Sequence, residues 1–420
     1  MEKSNAHWKA AHPFLFISTS FILGILIGNH FFKAVNTPIF SIAIIASGSL
    51  LLLGIRLLPI PFLLKGFFFY CILISWGIAI HMATQEKNLI QIPYPKSWVD
   101  FCRNWVVQKI NTTIVDKEAN GFSLALLLGV KSDLNKSVLQ AYTQLGIIHI
   151  VAISGMHLEI IFKNLTRITN FLPRRKFYLG LELFIVLSGV WLYTFMANAS
   201  PSIVRASVFF SIYFIGKYLQ QSIVTLNTIA TGMLILLLFD VKNIDNIGLQ
   251  LSYAAVLGIH LFYPLFFKML PMDNPLLIFL WSNLCVSFSA QLITFPILVF
   301  HFHQMATMVI ISNFIMVPLS NILLYSLVVL VACPPIFQLP HILGQWIQYY
   351  VLWINASIRF IDAQPISGSI PMHMDKIQTV SYYIALWLLY RWLLKKKAFY
   401  LVYLLGLMVI YALLKLFSLL

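Results

Sequence analysis

The sequence predicts an all-α fold, a polytopic integral membrane protein, and three observations carry the prediction. Of its 420 residues 60% are hydrophobic and 10% charged, with a mean hydropathy of +0.87, whereas an ordinary globular domain is roughly 45–50% apolar and about a quarter charged. Apolar runs of about 20 residues, the length that crosses a hydrocarbon core, recur along the chain. Basic residues dominate, 28 Lys and Arg against 13 Asp and Glu for a net charge of +15, and they lie mostly between those runs, as cytoplasmic loops require. Topology therefore accounts for the charge better than a nucleic-acid-binding surface does. The length leaves no room for a large soluble domain.

MEKSNAHWKAAHP, with Lys3 and Lys9, runs into a first apolar stretch at 14–30 that lacks a small-residue cleavage site, so it reads as a retained anchor. Stretches at 39–55 and 62–81 complete an N-terminal three-helix membrane segment, 1–82. Arg56 and Lys65 place the loop between them in the cytoplasm. Residues 83–120 are the least hydrophobic. There Trp98, Phe101, Trp105, Val106, Ile110 and Ile114 recur at helical spacing opposite Asp100, Arg103, Lys109 and Asp116, which predicts an amphipathic interfacial linker. It either lies on the membrane or packs as a collar on its own protein. GFSLALLLGV is too short to span and reads as a re-entrant or half helix.

A core at 121–335 and C-terminal membrane helices at 336–420 follow. Their apolar runs lie near 177–196, 203–219, 223–239, 247–267, 276–300, 308–331, 342–361, 380–394 and 399–417. In all, about 13 transmembrane or re-entrant helices are expected, including broken ones. Alternation puts Arg174, Arg175, Lys176, Lys217, Lys268 and RWLLKKK inside, and ANASPS, DVKNID and HFHQ outside. The four cysteines have neither a disulfide framework nor zinc spacing. No metal, no cofactor and no catalytic residue is expected, and without a G-x-x-x-x-G-K-[ST] loop the chain hydrolyses no nucleotide by that route.

Polar side chains inside apolar runs are expensive, so each is a candidate for a pathway or for an internal lock. In GIIHIVAISGMHLEII, a continuous helix turning about 100° per residue would set Gly146, His149, Ser154 and His157 on one side and Glu159 elsewhere, needing its own neighbour or a proton. Ser154-Gly155 is a natural place for that helix to loosen or for another helix to approach closely. In NASPSIVRAS, Ser200 is a suitable N-cap and Pro201 a suitable first residue, so Arg205 sits one turn into a helix, either snorkelling outward or meeting an anion. Gln250 and Tyr253 share a face. Ser287, Gln291 and Thr294 precede Pro296, which must kink its helix and free a carbonyl, while Asn313 and Asn321 bracket Pro318. Broken helices rimmed by amides point to a water-lined path.

HIVAISGMHLEI resembles the His-x-x-Ala-x-Ser-Gly-x-His signature of the ComEC family, inner-membrane channels that import single-stranded DNA in natural competence. ALLLGVKSDL…AYTQLGIIHI, SPSIVRASVFFSIY, IGLQLSYAAVLGI and QLITFPILVFHFHQMATMVIISNFIMVPLSN resemble that family's further blocks in its order, over roughly Asn120 to Asn321. The resemblance implies an α-helical channel with His149, Ser154, Gly155, His157, Arg205, Gln250 and Gln291 as pore-lining or DNA-binding candidates, to which the polar pattern adds Tyr253 and Asn313. It implies single-stranded DNA and membrane lipid as partners, with a periplasmic DNA receptor and a cytoplasmic DNA motor or single-strand-binding proteins, and a conduit that one chain or a homo-oligomer builds.

Three departures stand out. Residues 82–120 are too short for the family's OB-like domain. No His-x-His-x-Asp-His of its metallo-β-lactamase-like nuclease is present, and Glu159 stands where relatives usually have Gly. The expected form is therefore a channel-only member served by a separate nuclease. The rival readings are a transporter of a small anionic solute or metabolite, centred on Arg205, and an intramembrane hydrolase using Ser154 and His157.

Overall fold

A computed structural model describes residues 13–406 other than 32–37, 58–61, 85–94, 133, 172, 174–175, 222–223 and 336–337. Lys3, Lys9, Arg174, Arg175, the side chains of Arg56 and Lys176, and the later part of the 399–417 run lie outside the described residues.

The protein is an all-α polytopic membrane protein. From the N-terminus run α1 (Pro13–Phe31), α2 (Pro38–Leu57), α3 (Phe62–Thr84), α4 (Lys96–Thr113), α5 (Lys117–Leu128), α6 (Lys136–Gln144), α7 (Ile148–Val151) and α8 (Gly155–Thr169). Then come α9 (Lys176–Met196), α10 (Pro201–Tyr218), α11 (Thr225–Phe239), a 3₁₀ turn (Val241–Asp245), α12 (Ile247–Phe267) and α13 (Pro275–Phe302). Strand β1 (Gln304–Ala306), α14 (Val309–Ala332), α15 (Leu339–Asp362), β2 (Ser369–Pro371) and α16 (Lys376–Lys395) follow. Among the described residues five stretches are long and apolar enough to cross a membrane: Leu64–Met82, Phe177–Met196, Ile247–Phe267, Pro275–Phe302 and Val309–Ala332. Phe14–His30 and Thr225–Phe239 are apolar but shorter. Among the described residues, further apolar runs lie in α2, α10, α15 and α16, of which α15 is amphipathic.

Helix ends follow from local chemistry. Asp116 caps α5 by accepting from Ala119 N–H at 2.9 Å, and Gly129, at φ 70°, closes it in the left-handed region that a side chain resists. Asn274 caps α13, whose first residue is Pro275.

Packing groups the helices into two units, neither a single stretch of sequence. The first comprises Met1–Ser97, Leu158–Phe195 and Ala199–Leu249; the second comprises Trp98–His157, Met196–Asn198 and Gln250–Leu420. In the first unit α1 and α3 touch backbone to backbone, because Gly24 faces the Ile74 carbonyl and Gly77 the Phe21 carbonyl with no Cβ between. Phe21 and Ile25 continue into a core with Leu237, Val241 and Ile244. Ser18 Oγ donates to the Ala230 carbonyl at 2.9 Å. The apolar helices α9 and α10 carry a polar seam, with Thr194 and Ser207 hydroxyls 2.5 Å apart and Trp191 Nε1 donating to Ser211 Oγ at 3.2 Å. Phe162 of α8 stacks on Phe210 at 4.8 Å.

In the second unit the half helix α5 is buried from Gly121 to Leu128, in keeping with a run too short to span. The expected apolar face of α4 divides. Val106, Ile110 and Ile114 are buried, while Trp98, Phe101 and Trp105 are 71%, 67% and 48% exposed. Lys109, expected on the solvent face, instead donates to the Val331 and Cys333 carbonyls at the end of α14, where a cation also meets the negative helix terminus. Amphipathic α15 buries Gly344, Ile347, Val351, Ile354, Asn355 and Ile358 at helical spacing.

A polar cluster ties α5, α6 and α15 together. The Glu118 carboxylate pairs with Arg359 and accepts from Asn355 Nδ2 at 3.1 Å, and the Tyr142 hydroxyl donates to Asn355 Oδ1 at 3.4 Å. Burial, with the Glu118 charge beside it, pushes the Tyr142 phenol up from its ordinary pKa. Strands β1 and β2 pair antiparallel, Met305 opposite Ile370, and join the α13–α14 and α15–α16 connections.

Candidate functional site

The stretch GIIHIVAISGMHLEII does not form one helix. Gly146, at φ 72°, turns the chain where a Cβ would lie 2.9 Å from Ala306 Cβ. Then α7 makes a single turn, residues 152–154 leave the helical path, and α8 starts at Gly155. The shared face expected of Gly146, His149, Ser154 and His157 on a continuous helix is thereby corrected: the chain loosens at Ser154-Gly155, and no single wheel spans the break.

His149 is exposed on its short turn. His157 is fully buried. Its Nδ1 accepts from Ser154 N–H at 3.2 Å and lies 3.0 Å from Ser154 Oγ. A nitrogen that accepts from a backbone amide carries no proton, so the neutral ring holds its proton on Nε2, a buried atom with no partner within the chain. Glu159 has the neighbour it needs, an ion pair with Lys163 at 2.6 Å on the exposed side of α8.

Arg205 belongs to the first unit. It lies one turn into α10 and is only 7% exposed, so it does not snorkel into solvent. Pro201 opens that helix as expected, but Ser200 makes no side-chain cap; its hydroxyl is buried without a partner. The Arg205 guanidinium reaches the first turn of α12, where a Cβ on Gly248 would sit 3.9 Å from Nη2. Asn246 caps that turn by accepting from Leu249 N–H at 3.1 Å.

Gln250, Tyr253, Gln291 and Asn313 all belong to the second unit, each half-buried. Gly258 lies against the Ser289 carbonyl and the Tyr263 hydroxyl meets Ser282 Oγ at 3.1 Å, which makes α12 and α13 antiparallel neighbours. That register carries Gln250 and Tyr253 to the level of Pro296 in α13. Asn313 lies one turn into α14. Pro296 has no N–H for the Leu292 carbonyl, and the freed oxygen accepts from the Tyr382 hydroxyl of α16 at 3.1 Å, with Tyr383 donating to the Ile293 carbonyl at 2.9 Å. Protein hydroxyls thus meet the carbonyls beside Pro296. Tyr382→Phe should therefore cost about 1 to 2 kcal/mol, the penalty for a buried carbonyl left unmet, measured as a lower thermal midpoint in detergent.

Four further groups have no protein partner. Ser289 Oγ on α13 and Ser312 Oγ, Asn313 Oδ1 and Asn321 Oδ1 on α14 are buried atoms without a hydrogen bond inside the chain. Such groups are rare in folded proteins and mark a place where solvent or ligand completes the bonding. The sequence pattern singled out Asn313 and Asn321 but missed Ser289 and Ser312; a hydroxyl next to a flagged amide was the available signal. It also missed Tyr382, 90 residues from its acceptor, and the Glu118 cluster. Among the described residues no group of three or more His, Cys, Asp or Glu is arranged to hold a metal ion.

The arrangement defines a class: a polytopic helical membrane protein whose helices are broken or carry internal prolines and bear buried amides and hydroxyls that the chain leaves unpaired. The chain belongs to the Competence protein family, whose model matches residues 126–396. It is 28% identical over 294 residues to ComE operon protein 3 of Bacillus subtilis (strain 168), an alignment that covers 68% of this chain and 35% of the relative. The chain thus spans about a third of that relative's length. No solved structure matches.

Proposed function

We propose that the protein conducts single-stranded DNA across the inner (plasma) membrane during natural transformation, with the basic loops on the cytoplasmic side. The unpaired oxygens of Ser289, Ser312, Asn313 and Asn321 carry this reading, because a strand moving through hydrocarbon needs hydrated or hydrogen-bonding walls about 30 Å deep. Family membership and the likeness to a ComE operon protein support it. His149, Ser154, Gly155, Arg205, Gln250, Tyr253, Gln291 and Asn313 are the wall residues it draws on, with His157 holding the start of α8 behind them rather than touching the strand. A nuclease, a periplasmic DNA receptor and a cytoplasmic motor or single-strand-binding protein are the partners it calls for, and the conduit is built by one chain or by a homo-oligomer. The protein itself performs no chemistry in this reading.

The test uses two readouts. Asn313→Leu removes an amide oxygen that the conduit hydrates, so it should leave the thermal midpoint nearly unchanged while lowering transformation by linear DNA at least tenfold. A variant that transforms normally, or a gene deletion without effect on transformation, sinks the conduit.

Arg205 beside the start of α12 favours, as a second reading, a carrier for a small anion, since a guanidinium and a helix N-terminus both attract negative charge. Uptake of a labelled organic anion that is lost in Arg205→Gln while transformation persists would select it. The hydrolase reading is weaker, because the Ser154 hydroxyl meets an imidazole nitrogen already bonded to a backbone amide.

A further inference from the structure

We propose that His157 is a positioning residue: its imidazole takes the place of Glu or Gln in a capping box that holds the break between α7 and α8. It acts through the Ser154 backbone and not by contact with a transported strand. Only the functional half of its test rests on the conduit reading.

In a capping box the N-cap residue is followed three positions later by a side chain that reaches back and accepts from the N-cap N–H. The protein contains such a box at α16, where Gln378 Oε1 accepts from Asp375 N–H at 3.1 Å and Asp375 Oδ1 accepts from Gln378 N–H at 2.7 Å. At α8 the same spacing recurs with Ser154 before the first helical residue Gly155 and His157 at the third position. The acceptor for Ser154 N–H is His157 Nδ1 at 3.2 Å. The reciprocal half differs: Ser154 Oγ turns to the same nitrogen at 3.0 Å, and His157 N–H goes to the Ser154 carbonyl at 3.1 Å.

The physical need is specific. Residues 152–154 leave the helical path, and a peptide N–H away from water requires an acceptor. The buried ring supplies it, and with two hydrogen bonds converging on Nδ1 that lone pair is not free for a ligand. The Ser-Gly-Met-His run of the signature is thus the sequence trace of a helix start.

The experiment uses the full chain with His157→Gln and His157→Ala, followed by hydrogen exchange over 152–158 and by transformation frequency. Gln restores an acceptor of the kind Gln378 provides, so His157→Gln should keep exchange and uptake within about threefold of the starting protein. His157→Ala should speed exchange at Ser154 about tenfold, the factor for one hydrogen bond of ordinary net strength, and lower uptake. Two outcomes overturn the proposal: His157→Ala leaving exchange unchanged, or His157→Gln protecting the segment yet failing in uptake as badly as His157→Ala. Should gene deletion leave transformation intact, the conduit fails, and exchange alone still decides the cap.

Discussion

Gly24→Leu is expected to destabilise the first unit by about 3 kcal/mol, seen as a thermal midpoint in detergent many degrees below that of the unchanged protein. The reason is backbone, not side chain. At the α1–α3 crossing a Cβ on Gly24 would overlap the Ile74 carbonyl and lie 3.0 Å from Gly77 Cα, so the helices must separate along their whole contact. In a membrane that separation is not offset by a hydrophobic term, since lipid tails are as apolar as the side chains; close packing is what holds such helices together. Gly66→Leu is the control. No atom lies within 4 Å of a Cβ there, and the midpoint should hardly move. Equal losses from both substitutions would show that the two glycines matter for something other than the close approach.

Glu118→Ala should cost about 2 to 3 kcal/mol in the second unit, and Arg359→Ala less than about 1. The asymmetry is the content of the prediction. The Arg359 side chain is 46% exposed and can return to water when its partner goes, so the ion pair itself contributes little. Glu118 also accepts from Asn355 Nδ2 at 3.1 Å and from Asn135 Nδ2 at 3.2 Å, and Asn355 is fully buried. Without the carboxylate the Asn355 amide keeps Tyr142 but loses its acceptor inside the protein, where an unpaired donor carries its full desolvation cost. Glu118→Gln, which keeps an oxygen for Asn355, should fall between the two. A loss from Arg359→Ala as large as that from Glu118→Ala would place the stabilisation in the ion pair instead.

Legibility in the sequence followed the range of the interaction. Half helix α5, the loosening at Ser154-Gly155, the proline first turn of α10 and the carbonyl freed by Pro296 were all readable, because each depends on residues within one or two turns. The wheel drawn through 146–161 misled for a related reason: it assumed regular helix across a segment whose Ser154 amide is bonded to an imidazole three residues on. Ser200 shows the limit of propensity, occupying the N-cap position while its hydroxyl caps nothing. The two-faced outcome for α4 was not readable, since Trp105 and Val106 are alike apolar and only the helices packed on one side distinguish them.

Composition and the run lengths alone determined that this is an all-α membrane protein, because in lipid only helices and closed barrels pair every backbone group, and continuous apolar runs of about 20 residues suit a helix whereas barrel strands are about 9 to 11 residues long and alternate. Motif order alone determined the family. Tertiary structure decided which polar groups are satisfied. The carbonyl freed by Pro296 finds Tyr382 across 90 residues, while Asn313 Oδ1 and Asn321 Oδ1, close by in sequence, find no protein partner. Hydrogen bonds between distant segments are set by where whole helices pack, and no local pattern encodes that.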